Sequence, residues 1–106
     1  MDNNKSVNST AVLTSGRQTI FAEADSLTQL GHRLADDFIE AAQLILNCQG
    51  RVVVMGLGKS GHIGRKIAAT LASTGTPAFF VHSAEALHGD LGMVTGQDII
   101  LAISYS

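Results

Sequence analysis

The spacing of apolar residues changes twice along this chain, and each change marks a different element. From Arg17 to Cys48, Ile20, Ala24, Leu27, Leu30, Leu34, Phe38, Ala41 and Ile45 recur every three or four residues, the period of one helix face. Gly31 interrupts the middle of that run, so two helices are expected, divided there. Gln49-Gly50 then reads as a cap and turn. At Val52-Val53-Val54-Met55 the period disappears into a continuous apolar, β-branched run, which suits a strand covered on both faces, as in a parallel sheet. Helical spacing returns with Ile63, Ile67, Ala68 and Leu71, and predicts a helix from about Gly61 to Ser73. Ala68, Ala69 and Ala72 are expected to let it lie close to the sheet. Thr74-Gly75-Thr76-Pro77 stops it, with Gly75 as a left-handed cap. Two further apolar runs, Ala78 to Val81 and Asp98 to Ser104, predict two more strands, joined by a polar, glycine-containing segment with little helix.

Before Ser15 the chain is polar and Asn/Ser-rich without periodicity, so residues 1–15 are expected to form a disordered tail, with one domain over 16–106. Strand, helix, strand, connection and strand in that order predict an α/β fold, a three-layer αβα sandwich around a parallel sheet of Rossmann-like type, preceded by helices. The last strand is followed by only two residues, with no crossover helix to cover the sheet, so the domain is expected to be incomplete, the N-terminal part of a longer protein.

The 106 residues are 45% apolar and 15% charged, which is globular in character. A formal net charge of −2 gives no reason to expect nucleic acid or an anionic membrane as partner. No apolar run approaches the length of a membrane span, and MDNNKSVNSTAVLTS lacks the basic and apolar regions of a secretory signal. Cys48 is the single cysteine and sits among apolar-periodic residues, so a buried thiol and a reducing, cytoplasmic setting are expected.

The chemistry concentrates after the first strand, in Gly56-Leu57-Gly58-Lys59-Ser60-Gly61-His62-Ile63-Gly64. Glycines permit close backbone approach, and a loop opening a helix offers free N–H groups and the positive end of the helix dipole to an anion, most often phosphate. The segment matches G-x-G-x-x-G, but a dinucleotide fold also expects an acidic residue at the tip of the next strand, where His82 stands, with Glu85 beyond it. Gly58-Lys59-Ser60 resembles the end of a P-loop, but the required earlier glycine position holds Val53. Packing alone explains a tight turn; it does not explain four glycines interleaved with Lys, Ser and His. A phosphate-bearing small molecule is therefore expected at the carboxyl ends of the strands, where Lys59, Ser60 and His62, then His82 to His88, then Ser104 and Ser106 converge.

The stretch GLGKSGHIGRKIAATLASTGTPAFFVHSAEALHGDLGMV, followed by AISYS, resembles the sugar isomerase (SIS) domain of arabinose 5-phosphate isomerases. The resemblance implies interconversion of D-ribulose 5-phosphate and D-arabinose 5-phosphate through an enediol, supplying the Kdo sugar of lipopolysaccharide or capsules. It implies catalytic roles for Lys59 and His88, and substrate contacts from Ser60, Gly75, Thr76, His82, His88, Ser104 and Ser106. No cofactor is required, and an inhibitory zinc ion is implied at His82. Complete members carry a pair of CBS domains and assemble as tetramers, so a homo-oligomer is implied. Ser83 stands where the family usually has proline, which should loosen the loop after His82. Two other readings follow from the same resemblance. One is a phosphosugar sensor controlling a DNA-binding partner, although the N-terminal helices lack a basic face. The other is a truncated, non-catalytic remnant.

Overall fold

A computed structural model describes residues 4–86 and 89–104. The described chain forms two compact units, one running to Phe38 and the other starting at Ile39.

The first unit is dominated by helix α1 (Ser9–Arg33). It begins well inside the stretch expected to be a tail. The Asn8 side chain accepts the Ala11 N–H at 3.0 Å, satisfying one of the free donors at the helix start. Gly31 does not divide the helical region. An isolated glycine costs a helix only about 1 kcal/mol, and the break comes instead at Leu34, whose extended backbone (φ −62°, ψ 128°) ends α1. Helix α2 (Asp36–Leu46) restarts with Asp36 and Asp37 in its first turn, where carboxylates favour the helix dipole.

The second unit is built on strands β1 (Val52–Gly56), β2 (Ala78–His82) and β3 (Ile99–Ile103). Helix α3 (Lys59–Ser73) links β1 to β2, and short helix α4 (Ser83–Ala86) and a 3-10 turn (Asp90–Met93) lie between β2 and β3. All pairings are parallel, in the order β2-β1-β3. β1 is therefore central, which is why Val52, Val53 and Val54 are fully buried. Val52 and Val54 pack on one side with Ala68 and Ile67 of α3 and Ile45 of α2; Val53 packs on the other with Val81, Phe79 and Val94.

Two glycines and one of the three expected alanines bring α3 onto the sheet. Gly61, Gly64 and Ala68 are buried, whereas Ala69 and Ala72 face outward. A side chain at Gly64 would stand 2.8 Å from the Phe80 ring. After α3, Gly75 takes φ +98°, the expected left-handed cap. Cys48 is half-buried rather than enclosed. Among the described residues, no helix is long and apolar enough to cross a membrane.

Candidate functional site

The order β2-β1-β3 puts the connection after β1 and the connection after β2 on opposite sides of β1. Ligands in open parallel sheets bind beyond the carboxyl ends of the strands at such a reversal. A cavity of about 330 Å³ lies there, lined by Met55, Leu57, Ser60, Ser83, Ala102, Ile103 and Ser104. Its size falls at the lower end of small-molecule pockets, about 300–1,000 Å³. Met55 and Ala102 are paired in register on neighbouring strands and form its apolar base. Hydroxyls come from the beginnings of the connections that follow the three strands.

Backbone geometry prepares the first of those connections. Gly58 has φ 60° and ψ −127°, a conformation closed to residues with side chains, and it turns the chain from β1 directly into α3. Its carbonyl accepts the N–H groups of Gly61 and His62, at 3.0 and 3.4 Å. The N–H groups of Lys59 and Ser60 have no such partner among the described residues, as expected for a first helical turn. Gly56 lets that turn sit directly on the end of β1: a Cβ there would lie 2.7 Å from the Ser60 carbonyl oxygen. Ser60 is only 9% exposed, yet its hydroxyl makes no hydrogen bond among the described residues and its side chain lines the cavity. Among the described residues no solvent-shielded side-chain nitrogen or oxygen lacks a partner, so the Ser60 hydroxyl is open to the cavity rather than sealed beneath it.

The residues expected to form the site divide into three groups. Ser60 and Ser104 line the cavity. Lys59 and His82 stand beside it without lining it. Lys59 is exposed at the first position of α3. His82 ends β2, half-buried, and its Nδ1 accepts the Ala84 N–H at 3.2 Å, which places the proton of the neutral ring on Nε2. Gly75 and Thr76 belong to the opposite edge. They precede β2, border a separate cavity of about 280 Å³ with Ile45, Cys48 and Pro77, and are separated from His82 by the length of the strand. They do not join Ser60 within one chain, because the residues on either side of a five-residue strand lie about 20 Å apart at 3.3 Å per residue. His88 and Ser106 lie outside the described residues.

Sequence reasoning missed Ser83, which lines the cavity while its neighbour His82 does not. Ser83 opens α4 immediately after β2, within the polar connection expected to face the site, and nothing in its residue type set it apart beside His82.

The zinc ion implied by the resemblance finds little support in this arrangement. A closed tetrahedral site needs four ligands; among the described residues no three His, Cys, Asp or Glu side chains come together. His82 also has one ring nitrogen already engaged.

Comparison with known proteins gives a consistent picture. The chain is 65% identical over 98 residues to the arabinose 5-phosphate isomerase GutQ of Escherichia coli K12, covering 92% of this chain and 30% of that protein. It is 60% identical over 92 residues to the arabinose 5-phosphate isomerase KdsD of Pseudomonas aeruginosa, covering 87% and 28% respectively. The chain thus spans under a third of the length of these curated relatives. Among solved structures, the E. coli CFT073 protein c3406, in complex with arabinose 5-phosphate, superposes with a TM-score of 0.87 at 43% identity, covering 94% of this chain and 53% of that one. The SIS domain signature matches residues 45–106, from the end of α2 through β3. That match, on a parallel sheet whose polar groups gather at its carboxyl edge, makes this chain a member of the SIS domain family.

Proposed function

We propose that the chain supplies the phosphate-holding half of an aldose–ketose isomerase acting on D-ribulose 5-phosphate and D-arabinose 5-phosphate. The observation that carries this reading is the Ser60 hydroxyl, open to the cavity without a partner among the described residues, beside the free N–H groups of Lys59 and Ser60. Backbone donors, a helix N-terminus and hydroxyls together suit a dianionic phosphate, and Ser104 adds a further hydroxyl from the end of β3. The similarity to two arabinose 5-phosphate isomerases selects the sugar.

The chemistry moves one proton between adjacent carbons. A base removes it from the carbon beside the carbonyl, an enediolate forms, and the proton returns to the neighbouring carbon. Charge gathers on the enediolate oxygens and needs a fixed positive or hydrogen-bonding neighbour. Lys59, carried by the first turn of α3, is available to serve the enediolate or the phosphate, and His82 presents Nε2–H as a donor. His88 is assigned ring opening or transfer of a proton between oxygens. No cofactor enters these steps.

The same reading assigns the product to Kdo supply, the protein to a reducing cytoplasm, and the complete enzyme to a homo-oligomer of four. The exposed apolar residues of α1, Ile20 and Leu27 among them, support association through that unit. The test is titration of the chain with arabinose 5-phosphate and inorganic phosphate, followed by amide NMR. Both should perturb Ser60 and Ser104, and Ser60→Ala should weaken phosphate about tenfold or more, the worth of a hydrogen bond to a charged group. Absence of binding to either ligand would refute the reading. Turnover by the 106-residue chain alone is expected to be negligible.

A further inference from the structure

Two helices of this chain carry opposite charge, and neither neutralises the other. α2 holds Asp36, Asp37 and Glu40 and no basic residue; α3 holds Lys59, Arg65 and Lys66 and no acidic one. Glu40 and Lys66 have no hydrogen-bond or ion-pair partner among the described residues. Each of these charges sits beside exposed apolar surface. Ile45 turns one side of α2 toward Val52 and Val54, and at about 3.6 residues per turn Ile39, Glu40, Gln43 and Leu44 fall away from that side. Ile39 is 62% exposed and Leu44 57%. On α3, Gly61, Gly64 and Ala68 are buried against the sheet. Its outer side forms an open groove of about 420 Å³ lined by His62, Ile63, Lys66, Ile67 and Thr70. An amphipathic helix bearing acidic groups beside its apolar residues matches such a groove in shape and in charge.

We propose that the outer face of α2 docks on the α3 groove of a second copy of this chain, in a twofold dimer that makes the same helix pair twice. A twofold contact is self-complementary, so one surface must carry both members of the pair, and α2 and α3 supply them. The residue pattern selects an antiparallel register. Setting Glu40 against the partner's Lys66 brings Ile39 opposite the partner's Ile67, Gln43 opposite the partner's Ile63 and Leu44 opposite the partner's His62. Opposite charges then meet beside an apolar pair, and the positive start of each helix lies near the negative end of the other. A parallel alignment with Asp36 on the partner's Lys59 sets Glu40 against the partner's Ile63 instead. The proposal rests on the homo-oligomer reading above and gives it a second surface: a tetramer of D2 symmetry uses two different contacts, and α1 can furnish the other. It does not depend on the phosphosugar reading, since none of these paired residues lines the carboxyl-edge cavity.

The experiment is sedimentation velocity on the intact chain over a range of protein and salt concentrations. The wild type should associate, and less strongly as added salt screens the exposed pairs. Glu40→Lys and Lys66→Glu should each weaken association about tenfold, because an exposed ion pair made twice per dimer becomes a like-charge contact. Glu40→Gln, which removes the charge without reversing it, should show a smaller loss. The double variant Glu40→Lys/Lys66→Glu puts opposite charges face to face again and should recover most of the wild-type affinity. Both positions are exposed, so helical circular dichroism should be unchanged throughout. Association of the single variants at wild-type strength overturns the proposal and leaves association to α1. Failure of the double variant to recover also overturns it, since it marks a general disturbance rather than a pairing. A wild type that stays monomeric at every concentration refutes the homo-oligomer reading itself, and the proposal falls with it.

Discussion

Replacing Gly56 with alanine tests the seat of α3 on the sheet more severely than any other single change. Gly56 does not have a positive φ, so the substitution costs nothing in backbone conformation. The cost is spatial. The new Cβ would stand 2.7 Å from the Ser60 carbonyl oxygen, 2.8 Å from the Ser60 carbonyl carbon and 3.0 Å from the Gly61 nitrogen. Ordinary contact begins near 3.4 Å, so the first turn of α3 must withdraw by about 0.7 Å. No rotamer can relieve this, because all three atoms belong to the backbone. A radial gap of about 0.5–1 Å forfeits a quarter to a half of each dispersion contact, and α3 meets the sheet along Gly61, Gly64 and Ala68. Overpacking of this kind costs about 1–3 kcal/mol. The lower entropy of the unfolded alanine chain returns less than about 1 kcal/mol. We expect a net loss of about 2 kcal/mol in urea denaturation. Phosphate affinity should fall as well, since the moving turn carries the free N–H groups. A Gly56→Ala chain within about 0.5 kcal/mol of wild type, the range of ordinary surface changes, would refute the close seating of α3.

Gly64→Ala should be milder. Its Cβ meets the Phe80 ring at 2.8 Å and a Val54 methyl at 3.3 Å, but about 1 kcal/mol of helix propensity offsets the overpacking, leaving a loss of about 1 kcal/mol by urea titration. Gly31→Ala, with nothing within 4 Å of the added carbon, should instead strengthen α1 by about 1 kcal/mol, read as helical circular dichroism retained to higher temperature. Asp98 accepts the Arg51 and Thr95 N–H groups, each at 2.7 Å, and these bonds hold its carboxyl below the ordinary value of 3.8. A lowered folded pKa means stability complete above the unfolded value and lost as pH falls through the folded one. The urea midpoint of the wild type should therefore drop below about pH 4, and Asp98→Asn should flatten that acid limb, an unchanged limb being the contrary result.

Elements with strong patterns were legible in the sequence: the apolar run of β1, the glycine loop, the Gly75 cap and the parallel sheet that follows from strand–helix–strand order. Element ends were less so. The start of α1 depends on one capping bond from Asn8, and the division between α1 and α2 on the backbone of Leu34, neither visible in apolar periodicity. The site was legible where it follows from strand polarity, which brings Ser60 and Ser104 together. It was not legible at Gly75 and Thr76, because a resemblance carries residues across without saying which edge of the sheet they occupy. At the tip of β2 the obvious chemistry of His82 drew attention from Ser83, the residue that reaches the cavity wall.

The uniform apolarity of β1 has a consequence for how the sheet is specified. A strand with one wet face resists slippage, because a shift by one residue would turn its apolar side chains to solvent. Val52, Val53 and Val54 are equally buried, so a slip of β1 by one position exchanges valine for valine and meets almost no such penalty. Something other than oiliness must hold the alignment. Asp98 does so at one end: its carboxylate grips the Arg51 N–H, and the adjacent Ile99 N–H reaches the Arg51 carbonyl at 3.0 Å. The contact of Gly56 with Ser60 does so at the other. Two polar or close-packed stops, one at each end of a featureless strand, act as the detents of the fold. Loosening either should yield misaligned chains that remain well collapsed.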